Sequence, residues 1–106
     1  MGAQLSGLKP THPGELLREI VFPALKMPKR EIADLLGISR QMLHGILAER
    51  HPITPTMALR IGKLLGTSPE SWLRMQEAYD LRKAEQTMRK ELKAIPTLRT
   101  EATEQA

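Results

Sequence analysis

Apolar residues recur along this chain at spacings of three and four, and proline and glycine cut the pattern into five stretches. That spacing lines apolar side chains along one face of a helix, so the sequence reads as all-α with short connections. The first stretch begins near His12-Pro13, carries Leu16, Leu17 and Ile20 on one face, and is disturbed at Pro23. Proline costs little at a helix start, because the N–H it lacks has no helical partner there. The second starts at Pro28, buries Ile32, Ala33, Leu35 and Leu36, and stops at Gly37, which is free to adopt positive φ. The third opens on Ser39 as an N-cap and turns Leu43, Ile46 and Leu47 inward. Thr54-Pro55 opens the fourth, which buries Met57 or Ala58, Ile61, Leu64 and Leu65 and ends at Gly66. Ser68-Pro69 opens the fifth, which passes through Trp72, Leu73 and Tyr79 and runs as far as Ile95, where Pro96 ends it.

This punctuation predicts a flexible segment over 1–10, a compact domain over 11–82, a helical extension over 83–95 and a disordered tail over 96–106. Leu81, Ala84, Met88, Leu92 and Ile95 form an apolar stripe longer than the domain's core can cover, with Glu85 and Arg89 as an i,i+4 pair beside it. Such a stripe needs a cover: a second protomer by preference, then a different protein, or the chain's own domain if the helix folds back. Trp72 is expected to pack against the domain. Arg60 suits an internal ion pair and a phosphate contact equally.

The run from Lys29 to Leu47 has the chemistry of a DNA-reading helix-turn-helix. Ala33 is small where the second and third helices cross. Gly37 supplies the sharp turn, and Ile38 drops between the helices. Ser39 caps the third helix so that its first turn projects outward, in the orientation that enters a major groove. Arg40 can donate two bonds to guanine O6 and N7, Gln41 can pair with adenine N6 and N7, and Ser39 and His44 lie on the same end and face. Gly45 is expected to leave that face bare for close approach. Lys29 and Arg30, with Arg50 and the helix start at Thr54, are placed to meet phosphates.

Charge sharpens this reading. The formal net charge is +4, and residues 26–63 hold seven Lys or Arg against three acids, while the segments on either side balance. A basic bias confined to one segment suits a phosphate-facing surface. Other chemistry has little material. There are no cysteines, and the three histidines have no carboxylates at metal-ligand spacing, so no metal or other cofactor is expected. No hydroxyl has a base and orienting acid, so the chain does not read as an enzyme. Phe22, Trp72 and Tyr79 are too few for a base-stacking surface. No apolar run approaches the roughly 20 residues of a membrane span, and no secretory signal is visible, which suits a cytoplasmic protein. Met1-Gly2 with Ser6 fits a myristoylation pattern too permissive to carry weight.

The sequence resembles the lambda-repressor-like (XRE) helix-turn-helix proteins and, within them, the HigA-type antitoxins of bacterial toxin–antitoxin operons. The matching residues are His12-Pro13-Gly14-Glu15, Ala33 to Arg40, Ile53-Thr54, Ala58 with Arg60, and Gly66 with Ser68-Pro69. Trp72-Leu73, Met75-Gln76 and Tyr79-Asp80-Leu81 complete a likeness that covers roughly residues 11–82. The resemblance implies a five-helix domain and a homodimer on a palindromic operator that represses its own operon. It also implies neutralisation of a toxin, typically an mRNA-cleaving ribonuclease of the RelE type. Ala48-Glu49-Arg50 stand where the family usually has an Asn-Gly pair, and the extension from about Arg82-Lys83 has no counterpart in the shared pattern. A free-standing phage-type or metabolic regulator would look almost the same, and a protein-binding module that has lost DNA binding stays open.

Overall fold

The computed structural model describes residues 10–99; the first nine residues, the last seven and the Met1-Gly2-Ser6 pattern lie outside the described residues. The described chain is all-helical. α1 (Pro13–Leu16), a π-helical turn (Leu17–Val21) and α2 (Phe22–Leu25) form one continuous rod, followed by α3 (Lys29–Leu36) and α4 (Arg40–Leu47). α5 (Pro55–Leu65), α6 (Pro69–Thr87) and α7 (Arg89–Ala94) complete it.

Side-chain caps set most of the helix starts. The Ser39 Oγ accepts from the Met42 N–H at 3.0 Å, Thr54 Oγ1 from Met57 at 3.3 Å, and Ser68 Oγ from Ser71 at 3.3 Å. Each bond satisfies an amide that has no partner inside its own helix. At the head of α1 a histidine does the same work, Nδ1 of His12 accepting from the Gly14 N–H at 2.8 Å. Gly37 (φ 72°) and Gly66 (φ 68°) end α3 and α5 in the left-handed region that glycine reaches without strain.

The core is formed by Leu17, Phe22, Ile32, Ala33, Leu36, Leu43, Ile46, Leu47, Ile53, Met57, Ala58, Ile61 and Trp72. Burying one such large side chain contributes about 1.5–3 kcal/mol. Both Met57 and Ala58 are buried, Leu64, Leu65 and Ile38 pack partly against the core, and Trp72 packs in with its Nε1 donating to Thr67 Oγ1 at 2.8 Å.

Several expectations are corrected. The disturbance expected at Pro23 takes the form of a π-helical turn ahead of it, and the helix continues to Leu25. The Phe22 N–H reaches back five residues to Leu17 O, and this wider turn makes room for a proline that would otherwise crowd the preceding turn. The same turn shifts the side-chain register, so Leu17 and Phe22 point inward and Ile20 is 64 % exposed. Leu35, expected in the core, is 61 % exposed, because the narrow inward face of α3 is filled by Ile32, Ala33 and Leu36. The fifth helix is not continuous to Ile95. Met88 (φ −102°, ψ 16°) separates α6 from α7, and Ile95 is extended, as a residue before proline prefers. Across that break Glu85 and Arg89 form no ion pair; among the described residues the ion pairs are Arg18–Glu19 and Arg18–Glu49. Leu81, Ala84, Met88, Leu92 and Ile95 are all exposed, so the stripe does not fold back onto the domain.

Close backbone approaches fix how the rod meets α4. A Cβ on Gly14 would overlap the carbonyl oxygen of Ile46, so α1 rests directly on the α4 backbone. Gly45 is buried as well, its missing side chain replaced by the ring of His51, which corrects the expectation of a bare face there. Buried polar groups complete the packing. Gln76 Oε1 accepts from the Ile53 N–H at 2.8 Å and Gln76 Nε2 donates to Asp80 Oδ1 at 3.0 Å. The His12 ring meets Tyr79 edge-on at 4.8 Å, and burial pushes its pKa below the ordinary 6.5 against the opposing pull of Glu49 and Asp80.

The two glycines predict opposite outcomes. Gly14→Ala drives a methyl into backbone, and the expected loss is about 1–3 kcal/mol. Gly45→Ala meets only an exposed histidine ring that can swing aside, and alanine's helix preference offsets that by up to about 1 kcal/mol. Urea denaturation of both variants checks the contrast. His12 predicts a pH dependence. Its folded pKa lies below its unfolded value, so on acidification the unfolded chain takes up the proton first. Stability is therefore expected to fall as pH drops below about 6.5, and to keep falling until the folded imidazole also protonates. Urea midpoints measured across that window should flatten in His12→Asn, which keeps a capping side chain.

Candidate nucleic-acid interface

The first turn of α4 faces solvent. Arg40, Gln41 and His44 are exposed, while Leu43, Ile46 and Leu47 are buried on the opposite side. At 3.6 residues per turn these three polar side chains fall within about 100° of one another. Ser39 spends an oxygen lone pair on its cap to Met42, which leaves its O–H available as a donor.

The far end of α4 is clamped. Gly45 O accepts from the Arg50 N–H (2.8 Å) and the His51 N–H (3.2 Å), folding the following loop back over the helix. Leu47 O accepts from Nη1 of Arg18 at 2.6 Å, and the same nitrogen lies 3.1 Å from Glu49 Oε2. Glu49 has φ 64°, a left-handed conformation that costs a non-glycine residue about 1–2 kcal/mol. It sits in the loop where an Asn-Gly pair was the family expectation, and there its carboxylate faces Arg18.

The four residues expected to meet phosphates are all exposed. Arg50 is held against α4 through its backbone, and Thr54 caps α5 immediately after Ile53, which Gln76 anchors. Lys29 lines a small cleft with Arg18, Phe22 and Leu47, near the C-terminal end of α4. Arg30 is exposed on the first turn of α3. Nη1 of Arg60 donates to Leu36 O at 2.7 Å and Gly37 O at 3.5 Å, bracing the turn between α3 and α4 through carbonyls instead of an ion pair.

Arg18, Glu49 and His51 shape this site and are not visible as site residues in the sequence. The departure at Ala48-Glu49-Arg50 marked the right loop, but the partner of Glu49 lies 31 residues away and carries no local signal. No helix among the described residues is long and apolar enough to cross a membrane.

Comparison with known proteins supports the helix-turn-helix fold. The helix-turn-helix family model matches residues 17–72, which span the rod from its π-helical turn onward, both helices of the motif, α5 and the start of α6. Virulence-associated protein I of Dichelobacter nodosus is 40 % identical over 75 residues, covering 71 % of this chain and 69 % of that protein. The structure of the antitoxin GraA in complex with its operator superposes with a TM-score of 0.80 at 38 % identity, covering 89 % of this chain and 96 % of that one. The Pseudomonas aeruginosa antitoxin HigA with the higBA promoter gives a TM-score of 0.79 at 30 % identity, covering 85 % and 99 %. The chain belongs to the XRE-type helix-turn-helix family of DNA-binding regulators and, within that family, is similar to the HigA antitoxins.

Proposed function

We propose that this protein is the autoregulating antitoxin of a type II toxin–antitoxin operon. In this reading a homodimer binds a palindromic operator in its own promoter, represses the operon, and neutralises a RelE-like mRNA-cleaving toxin. The observation that carries the DNA-reading part is the capped, exposed first turn of α4, mounted on a helix whose other end is clamped. Ser39, Arg40, Gln41 and His44 read base edges in the major groove, and Lys29, Arg30, Arg50 and Thr54 hold the backbone phosphates. The operator and promoter complexes of GraA and P. aeruginosa HigA support a promoter target for this chain too.

The domain over 11–82 carries the DNA contacts, and the extension over 83–95 brings two protomers together. Leu81, Ala84, Met88, Leu92 and Ile95 supply the apolar cover for the partner protomer. A twofold dimer of this kind places its two α4 helices on half-sites about 10 base pairs apart. A free-standing regulator is the second reading, supported by relatives of this chain that are described as HTH-type transcriptional regulators.

Three experiments test these readings. Arg40→Ala with Gln41→Ala should weaken discrimination by about 1–3 kcal/mol for each base that is no longer read, measured by competition between the protein's own promoter fragment and random DNA. Selectivity equal to wild type would show that other residues read the bases. Leu81→Glu with Leu92→Glu should convert a dimer to a monomer in sedimentation, and an unchanged dimer would move the interface elsewhere. Co-expression with the small neighbouring gene product separates the two functional readings: a stoichiometric complex that silences a ribonuclease favours the antitoxin, and no complex favours the regulator.

A further inference from the structure

Beyond Tyr79, α6 leaves the globular domain. The side of the helix that packs inward through Trp72, Gln76 and Tyr79 then emerges into solvent carrying Arg82, Lys83 and Gln86, three, four and seven residues past Tyr79. α7 adds Arg89, Lys90 and Lys93. Over residues 82–99 the chain holds six Lys or Arg against two acids, Glu85 and Glu91. Two adjoining concavities gather these cations. Tyr79, Arg82, Lys83 and Gln86 line one beside Pro10, and Arg82, Gln86, Arg89 and Lys93 line a second of about 300 Å³ with Glu85 and Leu92. Lys83 Nζ sits 5.9 Å over the Tyr79 ring, which ties the start of this surface to the domain. All these cations are exposed, and among the described residues none is in an ion pair. Like charges gathered in this way repel one another, and a polyanion relieves that repulsion.

The direction of α6 says which polyanion. α6 runs antiparallel to α5, from Trp72 beside Thr67 to Gln76 beside Ile53, so it overshoots the N-terminal end of α5 where Arg50 and Thr54 lie. At 1.5 Å per residue, Arg82 lies about 9 Å beyond Gln76 along that axis. We propose that Arg82, Lys83, Arg89 and Lys93 form a second phosphate-contacting surface, which extends the track of Arg50 and Thr54 along the backbone of the same duplex DNA. This rests on the DNA-reading assignment of α4 and adds to it a sequence-independent grip outside the helix-turn-helix.

The salt dependence of binding to a mixed-sequence duplex of about 30 base pairs tests the surface, since each phosphate contact contributes about 0.9 to the slope of log K against log salt. With Arg82→Gln, Lys83→Gln, Arg89→Gln and Lys93→Gln combined, the slope should fall by about 2–4 per protomer. Arg89→Gln with Lys93→Gln, both beyond the domain, should lower it by about 1–2 with the melting temperature unchanged. Arg74→Gln, on the solvent side of α6, should leave it unchanged. A fourfold variant with the wild-type slope overturns the proposal and leaves the basic face to a partner other than DNA. An equal loss per charge in Arg74→Gln also overturns it, because net charge alone would then account for the effect. Wild-type protein with no salt-dependent binding overturns the DNA-reading assignment and this surface together, whereas an unchanged fourfold variant overturns this surface alone.

Discussion

The last four carbonyls of an α-helix have no partner within the helix, and how those of α4 are satisfied governs the rest of the domain. His44 O takes the Ala48 N–H and Ile46 O takes the Glu49 N–H. Gly45 O takes both Arg50 and His51, and Leu47 O takes the Arg18 guanidinium from the first rod. Every one of these bonds fixes something else: the path of the loop, the left-handed turn at Glu49, and the angle at which the rod crosses α4. Gly14 lets the rod come close enough for Arg18 to reach. The result is a helix held at its C-terminal end and presented at its N-terminal end. A reading helix needs that polarity, because base contacts made by a rigid element lose less on ordering than those made by a mobile one.

A second set of bonds turns this clamped motif into a domain. Gln76 is buried yet bonded on both sides, to the Ile53 amide and to Asp80, and His12 is buried as a cap. Among the described residues no buried side-chain polar atom lacks a partner. Buried polar groups that are satisfied in only one arrangement penalise the alternatives, so this chain of contacts specifies where α6 lies on α1 and α5. The position of α6 in turn aims the extension. An amphipathic helix that overhangs its domain presents an apolar side and a basic side at once, so one element can join protomers and follow a charged backbone.

Much of the architecture was legible in the sequence because it rests on local chemistry. Capping hydroxyls at Ser39, Thr54 and Ser68, and glycines at 37 and 66, act within a few residues, so the end of α3, the start of α4, both ends of α5 and the start of α6 follow from them. The exposed first turn of α4 followed from the same reasoning, since a polar face opposite Leu43, Ile46 and Leu47 has only one way to point.

What escaped depends on contacts between distant residues or on small departures from ideal helix geometry. The π-helical turn ahead of Pro23 put Ile20 outside and Phe22 inside, because one added residue per turn rotates every side chain after it. Leu35 stays in solvent since it lies at the open mouth of a cleft between α3 and α5, across from the equally exposed Leu59. Gly45 looked bare until the loop brought His51 over it, and Arg18 could not be tied to Glu49 without knowing that the rod crosses the end of α4. The sequence by itself determined where α4, α5 and α6 begin, where α3 and α5 end, and which side of α4 faces outward, for those depend on neighbours along the chain. Only the tertiary structure decided how α4 is held and where the extension points, for those depend on which backbones can approach closely enough to bond.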